Sequence, residues 1–281
     1  MGYSVILTSN MASTLYSLQQ IDSLMATTNN NLATGKCVNS ALDDPINYFA
    51  SEEHLDRAED LQNRKDEMSE AIQLITAAND GVEALLDLID SIQSLANSAL
   101  TATDQTEVNS LETQFNDIMD QMNMVVDDSY YKGTNLLAGV TETLDVFFNP
   151  DGTSKLTLTG EDASTTGLGV TTLATDDWWD AVNGAPDKTA INASLDELVD
   201  AKVILRTMAK TLSLDLSTIE IRQDFTSEMI TALNDGASNL VSADTNAESA
   251  TLLMLQTQQS LAINSLSIAS DSYQAVLQLF S

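Results

Sequence analysis

At 281 residues the chain is long enough for one large domain or two modest ones. Forty-two acids against eleven bases give a formal net charge of −31, and every base lies between Lys36 and Arg222. No basic patch is left for phosphate, which argues against nucleic acid as a partner. The single cysteine, Cys37, excludes an internal disulfide.

Residues 1–7 lack the positive start and long apolar core of a secretory signal. The chain is therefore expected either to stay in the cytosol or to leave by a route that reads no cleaved signal. Met11, Leu15, Leu18, Met25 and Leu32 keep helical spacing, with Asp22 the only charge before Lys36, and predict a helix over 9–34 that stops at Gly35. Residues 36–47 read as a loop, because Asp44 precedes Pro45 and is pushed away from helical angles. One heptad frame then runs through Ala58, Leu61, Ile72, Ile75, Leu86, Ile89 and Ala96, predicting a helix over 49–101, about 80 Å long. A second stripe, including Leu74, Leu85 and Leu88, asks for more than one neighbour.

After a polar break at 103–106, Val108, Phe115, Ile118 and Met122 mark a shorter helix that returns antiparallel. Residues 143–160 change period: Leu144, Val146 and Phe148 alternate, Pro150-Asp151-Gly152 turns, and Leu156 and Leu158 alternate back, which predicts a β-hairpin. Residues 160–187 read as a surface tip with one short element at most, Trp178-Trp179 forming local core or a lid over helix ends. The heptad resumes from Ile191 through Leu205, Leu212 and Ile219 to Leu240, and slips at 242–251.

Residues 249–281 hold one charge, Asp271. Leu252, Leu255, Gln259, Ala262, Leu266, Ala269, Tyr273, Val276 and Phe280 step by three and four in a coiled-coil seam. Leu253, Leu261, Ile263, Ile268, Leu277 and Leu279 fall off that seam, so one partner helix cannot cover the apolar surface. The interrupting Gln, Ser, Thr and Asn keep every run too polar for a transmembrane span. The two ends are natural mates that fold on assembly. The fold class is mainly α: a long antiparallel coiled-coil or helical-bundle rod with a small β-hairpin region. Ile72, Ile75, Leu86, Ile89, Phe115, Leu205, Leu212 and Ile219 are the candidate packing positions of that rod.

The chemistry-bearing residues assemble into no catalytic group. His54 is the only histidine and reads as a solvated helix residue, with no nucleophile or phosphate-cradling glycine loop beside it. Asp43-Asp44 reads as a cap or turn, far short of the ligand number a calcium site needs. Cys37 has only Lys36 near it to activate a thiolate and reads as a passive small residue. No cofactor or metal is expected, and no enzyme.

Leu32-Ala33-Thr34-Gly35-Lys36-Cys37-Val38-Asn39-Ser40-Ala41-Leu42-Asp43-Asp44, then Lys132-Gly133-Thr134-Asn135-Leu136-Leu137, then Ala243-Asp244 with Glu248, and the closing Val276-Leu277-Gln278-Leu279-Phe280 are similar, in order and spacing, to the end motifs of bacterial flagellin. The resemblance spans both terminal thirds. It implies a filament subunit that polymerises through its terminal helices into the flagellar filament used for swimming. Met11, Leu15, Leu18, Met25, Leu32, Leu252, Leu255, Leu266, Tyr273, Val276, Leu277 and Phe280 would then be the filament-core residues. It also implies a domain plan of inner-core helices at 1–44 and 241–281, rod helices at 45–140 and 188–240, and a hairpin with a short tip at 141–187, without a large outer domain.

Its implied partners are further copies of itself, an export chaperone and the secretion apparatus, and the hook-junction and cap proteins, with no nucleic acid and no membrane insertion. The implied location is the extracellular filament, reached without a cleaved signal. Thr165, Thr166, Thr171 and Thr172 are candidate glycosylation positions. Two departures stand out: Cys37 replaces a basic residue, and Gln93-Ser94-Leu95 replaces the arginine-glutamate-leucine run of flagellins sensed by the innate receptor. The hook–filament junction protein shares both end patterns and is the alternative, followed by an exported coiled-coil effector.

Overall fold

A computed structural model describes residues 9–279, with side chains through 275. Most of the described residues are helical. Helices α1 (Ser9–Thr34), α2 (Pro45–Ala99), α3 (Gln105–Asp128), α4 (Lys188–Val241) and α5 (Thr245–Leu279) carry the fold, so the mainly α expectation holds. The expected hairpin is β1 (Thr143–Phe147) against β2 (Lys155–Thr159), antiparallel with Val146 opposite Leu156. A second two-stranded element, β3 (Trp179–Asp180) with β4 (Ala185–Pro186), lies in the stretch read as a loop.

Four helices begin on an aspartate, and in three of them its carboxylate caps the first turn, Asp104 of α3 being the exception. Asp44 Oδ1 accepts from the N–H groups of Ile46 and Asn47 at 3.0 and 3.2 Å. Asp187 does the same for Thr189 and Ala190, and Asp244 for Asn246 and Ala247. Each carboxylate satisfies N–H groups that the first turn cannot. This moves the start of α2 back from residue 49 to Pro45, whose missing N–H is no loss in a first turn.

The described residues form two compact units, 9–58 with 231–279 in one and Glu59–Ile230 in the other. In the second unit α2 and α4 run antiparallel: Lys65 Nζ donates to Ser227 Oγ at 3.1 Å, and Lys202 bonds Asp90 farther along. The connection at 100–104 folds α3 back along α2, bringing Ser129 beside Gly81. A Cβ at Gly81 would stand 2.4 Å from Ser129 Oγ, so the absent side chain is what admits the close approach. Ile75, Ile89, Phe115, Leu205 and Ile219 are fully buried in the core, Leu212 nearly so, and Ile72 and Leu86 pack against it.

The stretch 160–187 is only in part a surface tip: residues 171–172, 174–177 and 181–185 are exposed, while others turn inward. Ala163, Leu168, Val170 and Trp178 belong to the core. Trp178 stands edge-on to Phe115 at 5.1 Å and donates Nε1–H to Ser194 Oγ at 3.2 Å. An irregular segment has no period to announce burial, yet its large apolar groups fill the space between the helices. Thr165 is therefore corrected as a glycosylation candidate: it is buried, and its N–H and hydroxyl both donate to Asn123 Oδ1. Thr166, Thr171 and Thr172 are exposed.

The segment is pinned by Glu112, a buried carboxylate that accepts from Trp178 N–H at 2.6 Å and Asp176 N–H at 3.0 Å. Burial raises its pKa, against the pull of those two bonds. Asp176, held at a left-handed φ of 71°, in turn accepts from Gln105 and Asn109 at 2.8 Å each. The sequence analysis passed over Glu112. The signal was its spacing: Val108, Glu112, Phe115 and Met119 step by four, three and four, which puts an acid in the apolar frame of α3.

Candidate self-association surface of the terminal helices

The first unit is built on α1 and α5, which pack along each other. Asp22 Oδ1 accepts from Gln259 Nε2 at 2.6 Å, and Glu248 Oε1 from Asn31 Nδ2 at 3.0 Å. Those pairings fix an antiparallel arrangement and tie down Asp22, the one charge of α1, on the partner helix.

The seam facing α1 is covered unevenly. Met11 and Leu255 are buried, whereas Leu18, Met25, Leu32, Leu252, Leu266 and Tyr273 are half-buried, and Leu15 is exposed. The side chains of Val276 and Leu277, and all of Phe280, lie outside the described residues. Of the off-seam stripe of α5, the described side chains of Leu253, Leu261, Ile263 and Ile268 are each more than half exposed. Tyr16 and Leu24 on α1 are equally uncovered.

The break between α1 and α2 is hydrogen-bonded to the break between α4 and α5. Gly35, at a left-handed φ of 69°, ends α1 and accepts from Ala243 N–H at 2.9 Å. Cys37 N–H donates to Val241 O at 2.8 Å and its Sγ–H to Ser242 O at 3.3 Å. Asn39 Nδ2 reaches Asn31 Oδ1, which links the clasp to the Asn31–Glu248 bond. Asp43 Oδ2 closes the turn by accepting from Asn39 N–H, Ser40 N–H and the Ser40 hydroxyl at 2.9 to 3.1 Å. The Asn39 N–H foremost, with the Ser40 donors, holds its pKa below the ordinary value of 3.8. Asp43 and Asp44 are thus turn and cap. His54 is not fully solvated: it is half-buried against Gly236, where an added Cβ would lie 3.7 Å from its Cδ2.

The sequence analysis missed an exposed apolar cluster just past this clasp, Leu42, Ile46 and Phe49, whose spacing of four and three residues was the available signal. Among the described residues no helix is long and apolar enough to cross a membrane. The surface offers other helices an apolar face with almost no charge, and chemically that is a surface for association.

Residues 6–142 match the model of the bacterial flagellin N-terminal helical region. Flagellin FljO of Caulobacter vibrioides is 28% identical over 95% of both chains, and a flagellin of Brucella melitensis is 28% identical over 99% of both. Flagellin FljJ of Caulobacter vibrioides is 32% identical over 72% of this chain and 71% of its own length. A crystal structure of Bacillus cereus flagellin aligns with 66% of this chain at a TM-score of 0.40 and 14% identity, too remote a likeness to add weight. With its two ends paired, its apolar stripes uncovered and its near-full-length relatives all flagellins, the chain belongs to the family of bacterial flagellins, the structural subunits of the flagellar filament.

Proposed function

We propose that the chain polymerises through its paired terminal helices, which build the inner core of the filament. The observation that carries this is the unequal covering of α5: one face packs on α1, and the other presents Leu253, Leu261, Ile263 and Ile268 to water. Burying a large apolar side chain is worth roughly 1.5 to 3 kcal/mol, so several neighbours stacked on this face supply the driving force. On this reading the partners are first of all other copies, then the export chaperone that shields the same helices before assembly, the secretion apparatus, and the junction and cap proteins at the filament ends.

The test is negative-stain electron microscopy of the purified chain after salting out with ammonium sulfate, which strengthens apolar burial. Long filaments from the full chain, and soluble monomer from a chain lacking residues 249–281, are the expected result. Filaments from the truncated chain would overturn the role given to α5.

A further inference from the structure

Strands β3 and β4 are joined by a turn of Ala181, Val182, Asn183 and Gly184, all of them exposed. Asn183 is the one asparagine of the sequence that is followed by glycine. That order of residues carries a reactivity of its own. The main-chain nitrogen after an asparagine can attack the side-chain Cγ and close an imide ring, and a side chain on the attacking residue is the usual obstacle. Glycine has none. Gly184 stands at a left-handed φ of 64°, and a Cβ built on it would meet nothing within 4 Å. The turn therefore requires a glycine here, and packing does not.

Every group of that reaction is held, and Asp180 holds it. Gly184 N–H, the nucleophile, donates to the main-chain O of Asp180 at 2.8 Å. Asn183 Nδ2, the leaving group, donates to Asp180 Oδ2. Asp180 Oδ1 accepts from the N–H groups of Val182 and Asn183 at 2.8 and 3.1 Å, which fixes the turn around both. A nitrogen that must lose its proton to attack is kept protonated by its acceptor, and an anion forming on it would face the Asp180 carboxylate. Among the described residues, no other element hydrogen-bonds 181–184, so the restraint is local.

We propose that Asn183 is a self-modification site of the chain, guarded by Asp180. When the turn opens, Gly184 N bonds to Asn183 Cγ and gives its proton to water. The Cγ–Nδ2 bond breaks, and the amide takes a proton from water and leaves as ammonia. Water then adds to either carbonyl of the imide, giving aspartate or isoaspartate at 183. The balance is one water consumed and one ammonia released, with no change of oxidation state. The product adds a negative charge to a chain already at −31. Isoaspartate also lengthens the turn by an extra main-chain carbon. Because the turn lies between Trp178 and the α4 cap Asp187, whose N–H donates to Trp178 O at 2.8 Å, the change reaches the edge of the core.

The test incubates the purified full chain in mildly alkaline buffer, which favours loss of the amide proton. Mass spectrometry of the tryptic peptide 156–188 follows the gain that replacement of NH2 by OH brings, and fragmentation places it. The gain is expected at Asn183 ahead of every other asparagine, and about tenfold more slowly in the folded chain than in the chain unfolded by urea, as the loss of one hydrogen bond implies. Asp180→Ala in the folded chain is expected to recover about that tenfold, with circular dichroism confirming the fold. Asn183→Gln, which would have to close a larger ring, should show almost none. An unfolded wild-type chain that gains no mass at Asn183 would overturn the site. Equal rates in the folded and unfolded wild type would overturn the guard, whether or not Asp180→Ala folds.

Discussion

The two units solve the burial of apolar surface in opposite ways. In Glu59–Ile230 three helices, a hairpin and an irregular segment close on a core of buried side chains, many of them wholly out of water. In the unit made by the chain ends, α1 and α5 bury little besides Met11, Thr28, Asn31 and Leu255, and leave leucines and isoleucines in water. The first kind of region holds itself together. The second leaves its apolar faces open, and under the function proposed above other copies complete it, the near absence of charge letting them stack without repulsion.

That contrast can be tested, most forcefully at Trp178. Trp178→Ala should lower the stability of the second unit by about 3 to 5 kcal/mol, since it empties a fully buried site beside Phe115. Chemical denaturation followed by far-ultraviolet circular dichroism measures it. A loss under 1 kcal/mol would mean that the 160–187 segment is not part of that core. Glu112→Ala should remove about 1 to 3 kcal/mol by leaving the N–H groups of Asp176 and Trp178 without an acceptor. Protection of those two amides against hydrogen exchange should fall with it, and unchanged protection would dismiss the clamp.

Acid separates the two units by sign. The Glu112 pKa is raised above 4.5 in the folded state, so its contribution is complete below 4.5 and is lost as pH rises through the folded value. Glu112→Gln should flatten that loss in urea denaturation repeated across pH. Asp43 is depressed below 3.8, so its contribution is present above 3.8 and is lost as pH falls through the folded value. Asp43→Asn should remove that acid dependence from the clasp between the chain ends, read from amide exchange at Asn39 and Ser40. The smallest effect on the monomer belongs to Leu261→Ser/Ile268→Ser, which should shift stability by no more than about 0.5 kcal/mol because both residues are already in water. The same pair should suppress filament formation; a monomer that unfolds more easily and polymerises normally would reverse the comparison.

What could be read in the sequence follows from what burial does to spacing. The inner seams of α2, α3 and α4, the seam of α5 and the β1–β2 alternation are visible because each regular element repeats its buried face at a fixed interval. Positions in irregular backbone carry no such interval, so Leu168 and Val170 read with the surface tip, whereas the bulk of Trp178 marks it as local core or a lid. Glu112 was lost for the opposite reason: it occupies an apolar phase, where an acid reads as an interruption until its two backbone donors are seen.

The clasp of Gly35 and Cys37 against Val241 and Ala243 has a consequence for how the ends come together. A zipper with near-uniform apolar teeth and almost no charges can close one heptad out of step with little loss of contact. Here the first teeth are already fastened at one end, by main-chain bonds that no side-chain repeat can imitate. The clasp therefore gives the pairing of α5 with α1 a fixed origin, from which every heptad of the seam is counted in the same step.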